Sequence, residues 1–140
     1  AAALAVFMPV VAGQGGNAGI QTITIIVRGI AVGEIERRDA RRILGKEVAI
    51  GLVKGLAIGS LVGVVAWLWQ DSVVWGAVVF AALLGNMIVA AAVGSLIPLG
   101  LRALKLDPAV ASGIFLTMIT DFMGFLFLLG LATILIGELT

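Results

Sequence analysis

One acid stands where an acid is costly. Asp121 lies near the middle of an apolar run from Ala109 to Gly137, about 18 Å from its start at roughly 1.5 Å per residue. A carboxylate at that depth in hydrocarbon costs at least a few kcal/mol and marks an ion path or a proton relay by default. At about 100° per residue, Gly113, Thr117, Thr120, Asp121 and Gly124 share an arc of about 100°. Phe115, Met118, Phe122 and Phe125 fall on the far side. The acid thus belongs to a narrow stripe of small and polar residues. The plainer alternative is an acid paired with a cation to hold a bundle together. Lys54 is the only cation within an apolar span that could serve.

A second stripe lies near the start of the chain. Gln14, Asn17, Gln21, Thr24 and Arg28 fall within about 80° on a helical wheel, with Ile20, Ile23 and Ile26 elsewhere. Gly13, Gly15, Gly16 and Gly19 surround it, and Pro9 precedes it. These residues can loosen a helix and free backbone carbonyls. Irregular backbone at membrane depth is tolerated only where protein or a water-filled cavity covers it. Asn86, inside the third apolar run, either bonds a neighbouring helix or lines a wet cavity.

The potential ligands are therefore oxygens. The chain has no His and no Cys, which removes thiolate and imidazole chemistry and the usual zinc sites, and no enzyme is expected. Hard cations such as Mg²⁺ and Ca²⁺ prefer oxygen. The residues alone point to a cation pathway, divalent or proton-coupled. One acid cannot neutralise a divalent ion, whereas a two-fold pair would place two copies of Asp121 at its axis. Gly13-Gln14-Gly15-Gly16-Asn17-Ala18 also fits a loose dinucleotide-binding pattern. That pattern has meaning only between a strand and a helix, and here its flanks are long apolar runs.

The elements that must hold these residues are membrane spans. Apolar residues make up 61% of the 140 and charged residues 12%, against about 45–50% and about 25% in soluble domains. Mean hydropathy is +1.22. A particle of 14.4 kDa could not hide this much apolar surface from water. Runs of about 20 apolar residues span a bilayer core of roughly 30 Å, and four are present: about 4–27, 48–69, 73–101 and 109–137. The fold class expected is an all-α polytopic helical bundle.

Arg28, Arg37, Arg38, Arg41, Arg42 and Lys46 cluster around one connector, and Arg102 and Lys105 in another. Alternate threading puts both connectors on one face, which the positive-inside rule makes cytoplasmic. The carboxyl terminus then lies outside, and Trp67, Trp69 and Trp75 flank the outer turn. Such a chain resides in the plasma (inner) membrane. An outside start at Ala1 predicts a further helix upstream, so that residues 1–140 are a fragment of a pore domain. The segment 33–45 reads as a short surface helix. A net charge of +1 gives no case for nucleic acid.

Gly51, Gly55, Gly59 and Gly63 recur every four residues. Small residues at this spacing let two membrane helices approach closely. Lys54 beside them is expected to snorkel about 12 Å back to the basic end, with a place in a polar cavity as the alternative.

These residues also carry a resemblance. Met8-Pro9-Val10-Val11-Ala12-Gly13-Gln14-Gly15-Gly16-Asn17-Ala18-Gly19-Ile20-Gln21, followed by Arg28, resembles the signature of the MgtE magnesium transporters. Asp107-Pro108-Ala109-Val110-Ala111-Ser112, then Thr120-Asp121 and Gly124, is similar to their last transmembrane helix, and Arg41 to Glu47 to an intervening connector. The resemblance implies a homodimer in the lipid bilayer, with five transmembrane helices per subunit and a pore along the dimer axis. It implies Mg²⁺ as the transported ion, selected by Asp121 with backbone carbonyls near it. Thr117 sits one turn before that acid, and Gly13, Gly16 and Asn17 face the same ion. It implies, outside this chain, a first helix and cytoplasmic Mg²⁺-sensing domains. Gly113 stands where members of the family often carry Asn. A proton- or sodium-coupled carrier using Asp121, and a non-transporting membrane subunit docking through Gly51–Gly63, are the competing readings.

Overall fold

The computed structural model describes the backbone of residues 2–137. Four long helices follow one another: α1 (Ala2–Ala31), α2 (Ala40–Gln70), α3 (Val73–Ala103) and α4 (Pro108–Gly137). A 3-10 turn, Arg37–Asp39, precedes α2. All four helices are long and apolar enough to cross a membrane. At about 1.5 Å per residue, helices of 30 or 31 residues reach about 45 Å, past a hydrocarbon core of roughly 30 Å.

One boundary and one helix interior differ from the sequence reading. The Arg-rich stretch is no separate surface helix; from Ala40 onward it forms the first turns of α2, which runs on through Gly45. Arg, Lys and Glu are good helix formers, and nothing there stops propagation. The glycines of the first span do not loosen it either. α1 is continuous through Pro9, Gly13, Gly15, Gly16 and Gly19, so its backbone groups stay in the helical ladder. Pro9 sits in the second turn of α1, so only the carbonyl of Ala5 loses its usual donor.

Helix ends follow local chemistry. Asp71 takes a left-handed conformation (φ 49°) and the Ser72 N–H donates to Trp67 O at 3.2 Å, closing a tight turn into α3. Asp is among the few non-glycine residues that enter this region readily. Gly33 (φ 78°) closes α1, and the N–H groups of Glu34 and Ile35 donate to Gly29 O at 2.9 and 3.1 Å. The Asp39 carboxylate accepts from the Glu36 N–H at 2.9 Å.

α3 is the central helix. Half of its span is buried, against 33% for α1 and 22% for α2 and α4. The core joins Phe7 and Val11 of α1, Ala66 of α2, Val78, Val79, Ala82 and Leu83 of α3, and Leu128 and Ala132 of α4. α2 packs mainly on α3, and only side chains bridge it to α1. The seam is the glycine column, all four members buried. A methyl built on Gly51 would lie 2.8 Å from Ala91 Cβ, and one on Gly55 2.8 Å from Leu84 Cδ1. The outer face of α2, with Leu52, Val53, Leu56, Leu61 and Leu68, is exposed, which costs nothing against acyl chains.

This seam makes a test with opposite signs. A methyl on Gly63 would meet Gly76 O at 3.0 Å and Phe80 Cβ at 3.1 Å. Neither can move without shifting a helix, so Gly63→Ala costs about 1–3 kcal/mol, outweighing a helix-propensity gain of about 1 kcal/mol. A methyl on Gly45 meets nothing within 4 Å, so Gly45→Ala keeps the gain. Thermal unfolding in detergent should show a lower midpoint for the first and a higher one for the second.

The two basic connectors lie at one end of the bundle. Arg102 Nη1 donates to Ile35 O at 2.7 Å, joining them directly. At the other end the rings of Phe7 and Trp69 meet edge to face at 5.8 Å.

Candidate ion-binding groove

α1 and α4 run antiparallel and cross closely. A methyl on Gly19 would strike Leu116, one on Gly16 would lie 3.8 Å from Thr120 Oγ1, and one on Gly124 would lie 3.2 Å from Ala12 Cα. Small residues on both helices make this approach possible. The crossing fixes the depth of Asp121, level with Gly16 and Asn17.

Asp121, Thr117 and Gly113 line an open groove of about 610 Å³ on the α1–α4 flank, completed by Ile20, Ile114 and Met118. Asp121 is half-buried there. Among the described residues no cation pairs with it; Arg38 pairs with Glu36 and Arg42 with Asp39. The Thr117 hydroxyl donates to Gly113 O at 2.9 Å, which leaves its lone pairs facing outward to accept. No cluster of three ligating His, Cys, Asp or Glu side chains occurs among the described residues. One chain thus offers one carboxylate and several neutral oxygens.

The stripe on α4 divides. Thr120 and Gly124 turn inward and are buried, while Gly113 and Thr117 are exposed. Thr120 Oγ1 donates to its own helix, with Leu116 O at 3.0 Å. In this single chain Thr120 and Gly124 therefore line the α1–α4 crossing, and the Asp121 groove is lined by Gly113 and Thr117 of the same stripe. The reason is the close approach of α1, which takes the inner edge of the stripe as its contact.

On α1, Gly13, Asn17, Gln21, Thr24 and Arg28 are exposed, and Gln14 and Gly16 are half-buried. Their face lies beside the Asp121 groove and ends against α2 on its other flank. There Lys54 Nζ donates to Gln21 Oε1 at 2.9 Å. Lys54 thus bonds sideways onto the polar stripe and does not turn back to the basic end, as the sequence had suggested. Nor does it pair with Asp121, so the purely structural account of that acid lacks its cation.

Of the two places the sequence allows Asn86, this chain shows the bond to a neighbouring helix. It is fully buried at the meeting of α1, α3 and α4. Its Nδ2 donates to Val11 O at 2.9 Å, while Oδ1 has no hydrogen-bond partner. A methyl on Gly15 would overlap its side chain, and one on Gly124 would lie 3.0 Å from Nδ2. Asn86 is interhelical glue in this chain.

Sequence reasoning missed Glu47 and Thr22. Both are 5% exposed; the Thr22 hydroxyl has Ala18 O at 3.2 Å as its nearer acceptor and Glu47 Oε2 at 3.5 Å as its farther one. A signal existed: Glu47 stands four residues before Gly51, extending the buried glycine column by one turn.

Four membrane-length helices, with α3 at their centre, define a polytopic membrane protein, and a lateral groove holds a carboxylate with no cation on it among the described residues. The sequence profile of the MgtE family, described as divalent cation transporters, matches residues 8–131. The chain belongs to that family. It is 34% identical over 137 residues to a Bacillus subtilis protein named magnesium transporter MgtE, 39% over 121 residues to one of that name from Enterococcus faecalis, and 37% over 135 residues to one from Thermus thermophilus. These alignments cover 98%, 86% and 96% of the chain, but 30%, 27% and 30% of the relatives.

Proposed function

We infer that this chain is most of the pore domain of a Mg²⁺ transporter, and that two copies pair about an axis beside α1 and α4. The observation that carries this reading is Asp121, a carboxylate without a cation among the described residues, in a groove open to the side. Facing acyl chains, that groove would be costly. Facing its own copy, it becomes a channel with two carboxylates. The relatives' names supply the ion.

Mg²⁺ sheds water reluctantly and keeps several of its waters when bound. The proposed site holds a hydrated ion, with two Asp121 carboxylates accepting from its waters. Thr117 Oγ1 and the face of Gly13, Gly16 and Asn17 surround the same ion. Binding through water is weak enough for the ion to leave, as conduction requires. In this reading the further helix and the Mg²⁺-sensing domains would lie outside the 27–30% of the relatives' length that the chain matches. The basic connectors face the cytoplasm of the plasma membrane in this reading.

The test is flux into proteoliposomes of the full-length protein, reported by a trapped Mg²⁺ dye. Mg²⁺ entry should follow its own gradient with no pH or Na⁺ gradient imposed. Entry that appears only with a pH or Na⁺ gradient would make Asp121 the titrating or Na⁺-binding site of a coupled carrier.

Gly13 gives a second reading of the same face. A methyl there meets nothing within 4 Å, so Gly13→Ala should raise the unfolding midpoint through a propensity gain of about 1 kcal/mol. The methyl nevertheless enters the proposed channel from each copy. Mg²⁺ flux should fall several-fold while stability rises, and unchanged flux would remove Gly13 from the path.

A further inference from the structure

A second recess lies at the connector end, away from Asp121. Glu34, Arg42, Lys46 and Glu47 line a cleft of about 510 Å³ between the end of α1 and the start of α2. Lys46 also opens a second groove of about 510 Å³, wholly apolar between its two lysines, which passes Ile50 and Val53 along the outer face of α2. The two recesses meet at Lys46, where the apolar run of α2 begins at Val48. That is headgroup depth for a membrane helix.

The charges in the cleft balance. Arg42 and Lys46 are exposed cations, Glu34 is an exposed acid and Glu47 a buried one. Arg42 also reaches Asp39 at 3.4 Å. Glu47 has no ion pair among the described residues, and its hydroxyl contact with Thr22 at 3.5 Å lies beyond the usual range of a strong hydrogen bond. A buried carboxylate without a cation is costly. It calls for a donor from outside, and the cleft it lines is open.

We propose that this cleft and groove bind one aminophospholipid, its phosphate on Arg42 and Lys46, its primary ammonium on Glu34 and Glu47, and an acyl chain along Ile50 and Val53. Guanidinium and ammonium groups are the usual phosphate partners. A primary ammonium donates hydrogen bonds to carboxylates, whereas a choline headgroup has no N–H to donate. A purely anionic headgroup would meet the same cations but set its charge against two carboxylates. The zwitterion with an N–H donor is the class that satisfies both halves.

The experiment is native mass spectrometry of the full-length protein given equimolar dioleoyl phosphatidylethanolamine, phosphatidylcholine and phosphatidylglycerol. One additional charge-assisted hydrogen bond should make ethanolamine-lipid adducts at least about tenfold more abundant than choline-lipid adducts. Lys46→Gln should reduce adducts of both. Glu47→Gln should bring the ethanolamine preference close to parity. Glu34→Gln, at an exposed position that cannot disturb packing, should lower it in part. Lys105→Gln, in the other connector, should leave it unchanged. Equal retention of ethanolamine and choline lipids by the wild type would overturn the proposal. So would preferential retention of the glycerol lipid, or an ethanolamine preference that survives both Glu34→Gln and Glu47→Gln.

Discussion

Asp121→Asn should leave the bundle folded and reduce Mg²⁺ flux at least about a hundredfold. The two side chains have nearly the same shape, and Asp121 has no ion pair among the described residues to lose. In the proposed pair, removing two like charges that face each other across the channel relieves a repulsion, so the unfolding midpoint should stay level or rise. The ion feels the opposite effect. A carboxylate about 5 Å from a doubly charged ion, with water between, attracts it by about 7 kcal/mol at an effective dielectric of about 20. Solvent in an open groove screens much of this. A surviving loss of about 3 kcal/mol per copy still exceeds a hundredfold, since about 1.4 kcal/mol is tenfold. Flux in proteoliposomes and thermal unfolding must be measured on the same preparation. Wild-type flux in the variant would end the assignment, and lost flux with a lowered midpoint would assign Asp121 to structure.

Span lengths and the common end of the connectors were legible because bilayer thickness and charge act on whole segments. The Gly51–Gly63 column was legible because its period matches the helix. What a wheel cannot give is the neighbour. Thr117 and Thr120 belong to one stripe, yet the first lines the groove and the second the α1 crossing. The difference is where α1 lies, and that depends on Gly16, Gly19 and Leu116 meeting across long sequence distances. The same contacts explain why the glycines of α1 read as loosening elements and serve instead as contact surface. Glu47 was hidden by its company, since an acid among arginines reads as solvated charge. Only its register with the glycine column places it inside. Lys54 was misjudged because snorkelling is the default for a lone lysine, and the carbonyl of Gln21 lies closer than the interface does.

The crossing of α1, α3 and α4 yields the second large effect, and it is a coupling rather than a single loss. Gly15→Ala builds a methyl into the space of the Asn86 amide. The amide is fully buried and holds Val11 O, so the clash must push α1 off α3. Overpacking of a tight core costs about 1–3 kcal/mol, and breaking the one hydrogen bond of a buried amide adds about 1–3 kcal/mol. Asn86→Ala alone should be milder. It leaves a cavity, but it removes both the Nδ2 donor and an Oδ1 that has no partner, so no new orphan side-chain atom is created. Together the two changes are complementary, because the vacated amide volume receives the new methyl. The double variant should therefore be more stable than Gly15→Ala alone, with a coupling energy of about 1–3 kcal/mol between the sites. Denaturation midpoints of the four proteins in one detergent measure it. Simple additivity would mean that Asn86 does not occupy the space opposite Gly15, and the depth of the Asp121 groove would then rest on α4 contacts alone.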